Sequence, residues 1–376
     1  MGEQIYKFKG ETIFPLHIGS GEEWDALQYV IDGDYLYHYD ISRIITKLKS
    51  SQQVKLMNII ENANAQSMLQ LRQEIYNLFE NDSELLKYCL FKCKVTDEIK
   101  IDYQKNVNSI VNQLLIKPFI RSNDKLYIPG SSIKGAIRTA VFQSWIDEEY
   151  NNLNYILGDI EKTDANKTFQ MQIINNKLQS EVGRYTNAKN EAFRCIKVKD
   201  VVLDNVISTI VKTSKKKLRP NDKSWDEVVE CIPPGTKFTV ELSINHDLLA
   251  KSIRNENPSK RFWFGRKIGI EEISNSCYNF YFDQIENEIG KFNHLSDKNI
   301  DTINNIDDNS TLIRVGRYSH VESVTFTSNP DKERHECEEI RKPKVPKGKK
   351  FGTTRTLANL SNGEKVPFGL LKLTLE

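Results

Sequence analysis

The stretch Ile128-Pro129-Gly130-Ser131-Ser132-Ile133-Lys134-Gly135-Ala136-Ile137-Arg138-Thr139-Ala140 changes structural type within a few residues. Leu126-Tyr127-Ile128 has the composition of a short strand, and Pro129-Gly130 ends it. A serine supplies a cap, and Ser131 to Trp145 reads as a helix. Amides without helical partners, together with the helix dipole, favour a phosphate at such an N-terminus. Lys134 and Arg138 are four residues apart and share a face, while Ile133, Ile137, Ala140 and Val141 form another face that can pack on a sheet. The segment reads as a cradle for backbone phosphate, or equally as a capped core helix with two solvated cations. A nucleotide P-loop does not fit. Gly130 and Gly135 have its separation, but Ala136 and Ile137 stand where Lys and Ser or Thr are required.

Upstream, Thr12 to Ile18 alternates and meets the turn Gly19-Ser20-Gly21. Tyr29-Val30-Ile31 and Tyr35-Leu36-Tyr37 flank Asp32-Gly33-Asp34, a strong hairpin signal. From about Ile41 to Phe91 apolar residues recur at helical spacing, which predicts three or four helices inserted in a β-containing domain. Cys89 and Cys93, four apart, read as core positions on an apolar helix. Downstream, residues 158–192 read as an exposed loop, Phe193 to Val206 as a strand and Lys215 to Pro220 as a basic turn. Pro233-Pro234-Gly235 precedes a period-two strand from Thr236 to Ile244. Helical patterns follow around Ile270 to Phe292, then an Asn/Asp-rich loop from Asp297 to Asn309. Leu312 to Val315 and Leu370 to Leu375 are the last strands. Strands and helices without regular βαβ alternation argue for an α+β fold.

A length of 376 residues suggests two domains. No apolar run approaches the ~20 residues that span a bilayer, and the first ten residues lack a signal-peptide core. The expectation is a soluble cytoplasmic protein with no membrane partner. Its 6 cysteines then read as free thiols. With 53 Lys and Arg against 51 Asp and Glu, the net charge of +2 confines any nucleic-acid surface to a local patch.

Two other segments fit such a patch. In Arg314-Val315-Gly316-Arg317-Tyr318-Ser319-His320 a strand ends at a glycine beside cations, hydroxyls and a stacking ring, which suit single-stranded RNA; taken alone, the segment reads slightly better as a strand end with solvated charges. Arg341 to Arg355, with Lys342, Lys344, Lys347, Lys349 and Lys350, is a basic loop whose prolines and glycine prevent a helix. Enzyme motifs are missing: there is no Gly-x-Ser-x-Gly and no His-Glu-x-x-His. His246-Asp247 lacks companion histidines, and Asn245 or Asp247 reads as a helix cap. Glu333, His335, Cys337 and Glu339 resemble metal ligands but have no paired Cys or His elsewhere. His17, beside a glycine turn, suits a general base for RNA cleavage, an RNA contact or a packed residue, and no partner acid is evident.

Pro15-Leu16-His17-Ile18-Gly19-Ser20-Gly21, the Ile128 to Arg138 run and Pro367-Phe368-Gly369 before a final strand together resemble the RAMP superfamily of CRISPR proteins. Their order and spacing, with the Tyr29 to Tyr37 hairpin, are most similar to the fifth-subunit family of type III-A Csm effector complexes. The resemblance implies ferredoxin-like, RRM-related domains with helical insertions; with a second domain starting near Pro233-Pro234-Gly235, these are 1–228, with a helical insertion at about 41–118, and 229–376. It implies a non-catalytic subunit, without cofactor or metal, that caps the 3′ end of the guide RNA (crRNA) and takes part in its maturation for antiviral defence. A neighbouring RAMP backbone subunit is an implied partner, with target RNA and trimming nucleases as further ones. Gly130, Ser131, Ser132, Lys134, Gly135 and Arg138 become the RNA-facing loop and helix. His17, Arg314, Arg317, Lys349 and Arg355 are further candidate contacts. A metal-independent endoribonuclease acting on guide precursor, or another RAMP subunit of a type III effector, is the alternative.

Overall fold

The computed structural model describes residues 2–61, 64–106, 109, 114–148, 192–218, 226–248, 268–307, 309–324 and 352–376. Its largest core lies between one antiparallel sheet and two long helices. The sheet has the spatial order Ser310–Arg314, Leu370–Leu375, Glu3–Thr12, Lys237–Asn245, Ile196–Val198. Glu3–Thr12 pairs along its length with Lys237–Asn245, from Glu3 opposite Asn245 to Glu11 opposite Lys237, and along its second half with Leu370–Leu375. Its burial alternates through Phe8, Gly10 and Thr12, as a strand with one covered face requires. The helix Gly130–Glu148 covers that sheet with Ile133, Ile137, Ala140 and Val141, and packs against the helix Ile270–Phe292 through Ile273, Cys277, Phe280, Tyr281 and Ile285.

A second sheet runs in the order Lys365–Val366, Thr354–Asn359, Thr209–Lys217, Phe91–Val95, Tyr35–His38, Tyr29–Asp32, with Val228–Cys231 also paired to Thr209–Lys217. The Asp-Gly hairpin forms as expected, with Asp32 opposite Tyr35 and Gly33 at φ +55°. Ile41–Ile45, Ser50–Glu61 and Ala65–Asn81 are helices, and they close a separate apolar cluster around Ile44, Leu56, Leu71, Ile75 and Phe79. One antiparallel sheet and one mixed sheet, in which Thr209–Lys217 runs parallel to Phe91–Val95, with helices on their faces make the fold α+β, consistent with ferredoxin-like RAMP domains.

The structure corrects several expectations. A boundary at 228/229 is crossed by both sheets, because the N-terminal strand Glu3–Thr12 sits between two C-terminal ones and Thr354–Asn359 pairs with Thr209–Lys217. The stretch 41–118 is not a purely helical insertion, since Phe91–Val95 is an integral strand of the second sheet and carries the buried Cys93. Lys215, Lys216 and Lys217 lie on a strand rather than a turn, in register with Thr356, Arg355 and Thr354. Asp297–Asn304 is a helix and not a loop, because its apolar pair Ile300 and Ile303, three apart, packs on the main core. Phe193 to Val206 is a short 3₁₀ turn and two short strands rather than one strand. Residues 158–191 and 325–351, the latter holding Glu333, His335, Cys337, Glu339 and Lys349, lie outside the described residues.

Candidate nucleic-acid interface

Three segments far apart in sequence border one cleft of about 540 Å³. One wall is the helix face Ser131, Ser132, Gly135, Arg138 and Thr139; the opposite wall is the loop from Arg314 through Gly316 and Arg317 to Val324; Ile18 and Gly19 complete it.

Pro129, not a serine, stands at the start of the helix, and its carbonyl accepts from the amides of Ser132 (2.9 Å) and Ile133 (3.4 Å). Gly130 is required because a Cβ there would lie 2.2 Å from the Val198 carbonyl oxygen. Its amide donates to Asp200 Oδ1 at 2.7 Å, so the first helical amide already faces a carboxylate of the chain itself. The side-chain face from Ser131 to Thr139, rather than that amide, lines the cleft. Gly135 leaves the wall open, since a Cβ on it would meet nothing within 4 Å. Arg138 lies over the Phe142 ring at 4.4 Å. Lys134 departs from the expected pairing with Arg138: its ammonium donates to the Ile196 carbonyl at 2.6 Å, and it is not among the cleft-lining residues.

The opposite loop is held tightly. Gly316 has φ +89°, and a Cβ on it would lie 2.5 Å from the His17 carbonyl oxygen, which also accepts from the Arg317 amide at 2.8 Å. Tyr318 and His320 are left-handed at φ 68° and 63°, conformations uncommon outside glycine. The Tyr318 ring stacks on His17 at 5.9 Å and lies 5.0 Å from Phe368. His17 is fully buried, and its Nδ1 lies 2.6 Å from the Glu230 carbonyl oxygen. A carbonyl only accepts, so Nδ1 carries the proton and Nε2 the lone pair. Burial lowers the His17 pKa to about 4, leaving the ring neutral at pH 7.

Beneath the loop is a buried ion network. Glu288 accepts from Arg314 Nη1 at 2.6 Å and sits 3.3 Å from His294 Nε2. Arg355 Nε is within ion-pair distance of Glu288, 3.1 Å, although not aligned for a hydrogen bond, while Arg355 Nη2 donates to Glu322 Oε1 at 2.9 Å. Burial alone would push the Glu288 carboxyl up; Arg314, His294 and Arg355 outweigh it and hold the group well below the usual range. Burial and the charges of Arg314 and Arg355 push His320 down to about 3. Arg314 and Arg355, expected to contact RNA, are thus buried, and their guanidinium groups are directed at carboxylates. Arg317 is exposed. Its Nη2 lies 3.3 Å from Glu227 Oε1, and the Tyr318 hydroxyl donates to Glu227 Oε2 at 2.6 Å.

Among the described residues no group of three or more His, Cys, Asp or Glu is placed to hold a metal ion. Asn245 accepts from the Leu248 amide at 2.9 Å, as a helix cap does. Sequence reasoning missed Asp200, Glu227 and Glu288, each of which acts on residues distant in the chain and leaves no local pattern.

A model of the RAMP superfamily matches residues 9–363. The CRISPR system Cms protein Csm5 of Methanocaldococcus jannaschii is 26% identical over 295 residues, covering 76% of this chain and 63% of its own. The Csm5 of Streptococcus thermophilus is 26% identical over 154 residues, covering 41% of this chain and 42% of its own. The chain therefore spans less than two thirds of either curated relative. A chain from the cryo-EM structure of a Csm–crRNA–target RNA ternary complex of a type III-A CRISPR–Cas system superposes with a TM-score of 0.67 at 18% identity, covering 99% of this chain and 100% of that one. The crystal structure of T. onnurineus Csm5 superposes with a TM-score of 0.61 at 17% identity, covering 96% and 99%. Both likenesses show the fold.

Proposed function

Because this chain belongs to the RAMP superfamily, we propose that it is a non-catalytic crRNA-binding subunit of a type III-A Csm effector complex. The observation that carries this reading is the convergence of the Ile18-Gly19 turn, the Ser131–Thr139 helix face and the Gly316 loop on one cleft lined by hydroxyls, glycines, Arg138 and Arg317. Glycines let a sugar–phosphate chain approach closely, hydroxyls and cations contact phosphate, and base-reading groups are few, so the cleft suits backbone recognition. In this reading the subunit caps the crRNA 3′ end, shapes its maturation, and meets a neighbouring RAMP backbone subunit, target RNA and trimming nucleases in the cytoplasm. No helix among the described residues is long and apolar enough to cross a membrane.

The endoribonuclease alternative assigns His17 as general base. A fully buried imidazole with a pKa of about 4, donating through Nδ1 to a backbone carbonyl, is poorly matched to proton abstraction at pH 7. EDTA-resistant cleavage of labelled repeat RNA that disappears in His17→Ala would restore that alternative. The capping reading is tested by sequencing crRNA from complexes with and without this subunit. Altered 3′ ends with uniform 5′ tags are expected; identical 3′-end distributions, or altered 5′ ends, remove the cap assignment.

A further inference from the structure

Arg317 belongs to two neighbourhoods. One is the cleft; the other is a group of cations gathered around Glu227. Lys117 Nζ contacts Glu227 Oε1, the same oxygen that Arg317 Nη2 approaches at 3.3 Å, while Tyr318 donates to Oε2. Glu227 is fixed from behind, since its amide donates to Thr213 Oγ1 at 2.9 Å and its carbonyl accepts from the Thr213 amide at 2.8 Å. Two residues further along that strand is Lys215, close enough to act on Lys117 electrostatically. Glu23, 3.9 Å from Lys117, is the other carboxylate in reach. Lys117 and Arg317 thus share one carboxylate oxygen, with Lys215 adding positive charge nearby, while the second carboxylate is more distant and half in solvent. Burial first, and after it the charges of Arg317 and Lys215, pull the Lys117 pKa below the ordinary lysine value, with Glu23 opposing them. An anion relieves that repulsion.

We propose that Lys117, Lys215 and Arg317 form a second phosphate-binding station, contiguous with the cleft through Arg317, which engages a backbone phosphate of the same RNA strand. The inference rests on the cleft being an RNA site. It extends that site across the seam between the two sheets: Lys117 lies on Ile116–Lys117, paired with Val228–Cys231 of the second sheet, and the cleft helix lies on the first. Glu227 keeps the three donors aligned in the absence of RNA, and the exposed face of Arg317 is where the strand passes from one station to the next.

The test is the salt dependence of RNA affinity for the full-length protein, using single-stranded RNA long enough to cover both stations. Each lost phosphate contact flattens the log–log slope by about 0.7. Lys117→Gln and Arg138→Gln are each expected to flatten it by that amount, the double variant by about twice as much, and Lys117→Arg to retain the parent slope. Shortening the RNA from one end should abolish the Lys117→Gln effect while the Arg138→Gln effect persists. An unchanged slope in Lys117→Gln beside a flattened one in Arg138→Gln overturns the second station and leaves the cleft standing. An unchanged slope in Arg138→Gln overturns the cleft reading itself. If Lys117→Arg fails to retain the slope, or both effects vanish at the same RNA length, the two stations are not separate and the proposal falls. Inorganic phosphate that weakens RNA binding no more than chloride at equal ionic strength is expected; selective competition would mean a site for free phosphate instead.

Discussion

Single positions in the cleft wall separate folding from binding. Gly135 is the sixth residue of its helix, exposed, and free of neighbours around a Cβ. Glycine inside a helix is worse than alanine by roughly 0.5–1 kcal/mol, so the sequence keeps a destabilising residue where no packing demands it. Its side lines the cleft, and in the proposed reading a methyl group there would stand where a sugar–phosphate chain approaches. Gly135→Ala is therefore expected to raise stability by about 0.5–1 kcal/mol in urea unfolding while weakening RNA binding, and Gly135→Leu to weaken it further. A variant that gains stability and loses no affinity would mean the helix face does not meet RNA. This residue was legible from the sequence, because strand, turn and helix follow one another within a single short run and the apolar set Ile133, Ile137, Ala140 and Val141 fixes which side faces inward. The glycine before it, Gly130, was legible as a turn residue, but its real cause, the Val198 carbonyl, lies 68 residues away.

At the scale of elements, the Val315–Val324 loop owes its shape to what lies beneath it. The Glu322 carboxylate accepts from Arg355 Nη2, Ser323 Oγ donates to Gln284 Oε1 at 2.8 Å, and Gln284 Nε2 donates to the Glu322 carbonyl. The loop is thus tied to the helix Ile270–Phe292 and the strand Thr354–Asn359 together. None of this was visible in the sequence, where Arg314 and Arg355 looked like RNA contacts; their partner Glu288 is one of many acids and stands 26 and 67 residues from them. Charge alone predicts that neutralising an acid near an RNA cleft strengthens binding. If Glu322 positions the loop, the sign reverses. Glu322→Gln is expected to weaken RNA affinity roughly fivefold, the equivalent of about 1 kcal/mol for a lost charge-assisted bond, without flattening the salt slope, because no phosphate contact is removed. Tighter binding in filter-binding or anisotropy titrations would show that Glu322 only repels the ligand.

Across the whole molecule, the chain closes on itself. Its local elements were readable because hairpins and amphipathic helices are written in neighbouring residues, whereas strand order depends on pairings hundreds of residues apart that leave only a shared alternation. That is why a linear division near residue 228 looked reasonable, although strand pairings run across it. Glu3–Thr12 is an inner strand, bonded to Lys237–Asn245 on one side and Leu370–Leu375 on the other. Take it away and both neighbours expose a row of backbone donors and acceptors, while Phe8 leaves a core that includes Val240, Leu242, Leu371 and Leu373. Removing a buried Phe alone costs about 3–5 kcal/mol, a large share of the 5–15 kcal/mol that holds an ordinary domain together. The fragment 229–376 is therefore expected to lack cooperative thermal unfolding by circular dichroism when expressed alone. The fragment 1–228 fares no better, because Thr209–Lys217 loses its partner Thr354–Asn359 and the helix Gly130–Glu148 loses Ile270–Phe292. Co-expressed, the two fragments are expected to recover a single unfolding transition and to co-purify, since every missing strand returns from the other piece. A 229–376 fragment that melts cooperatively by itself would show that the N-terminal strand is an accessory to an independent C-terminal domain, and the 228/229 boundary would stand after all.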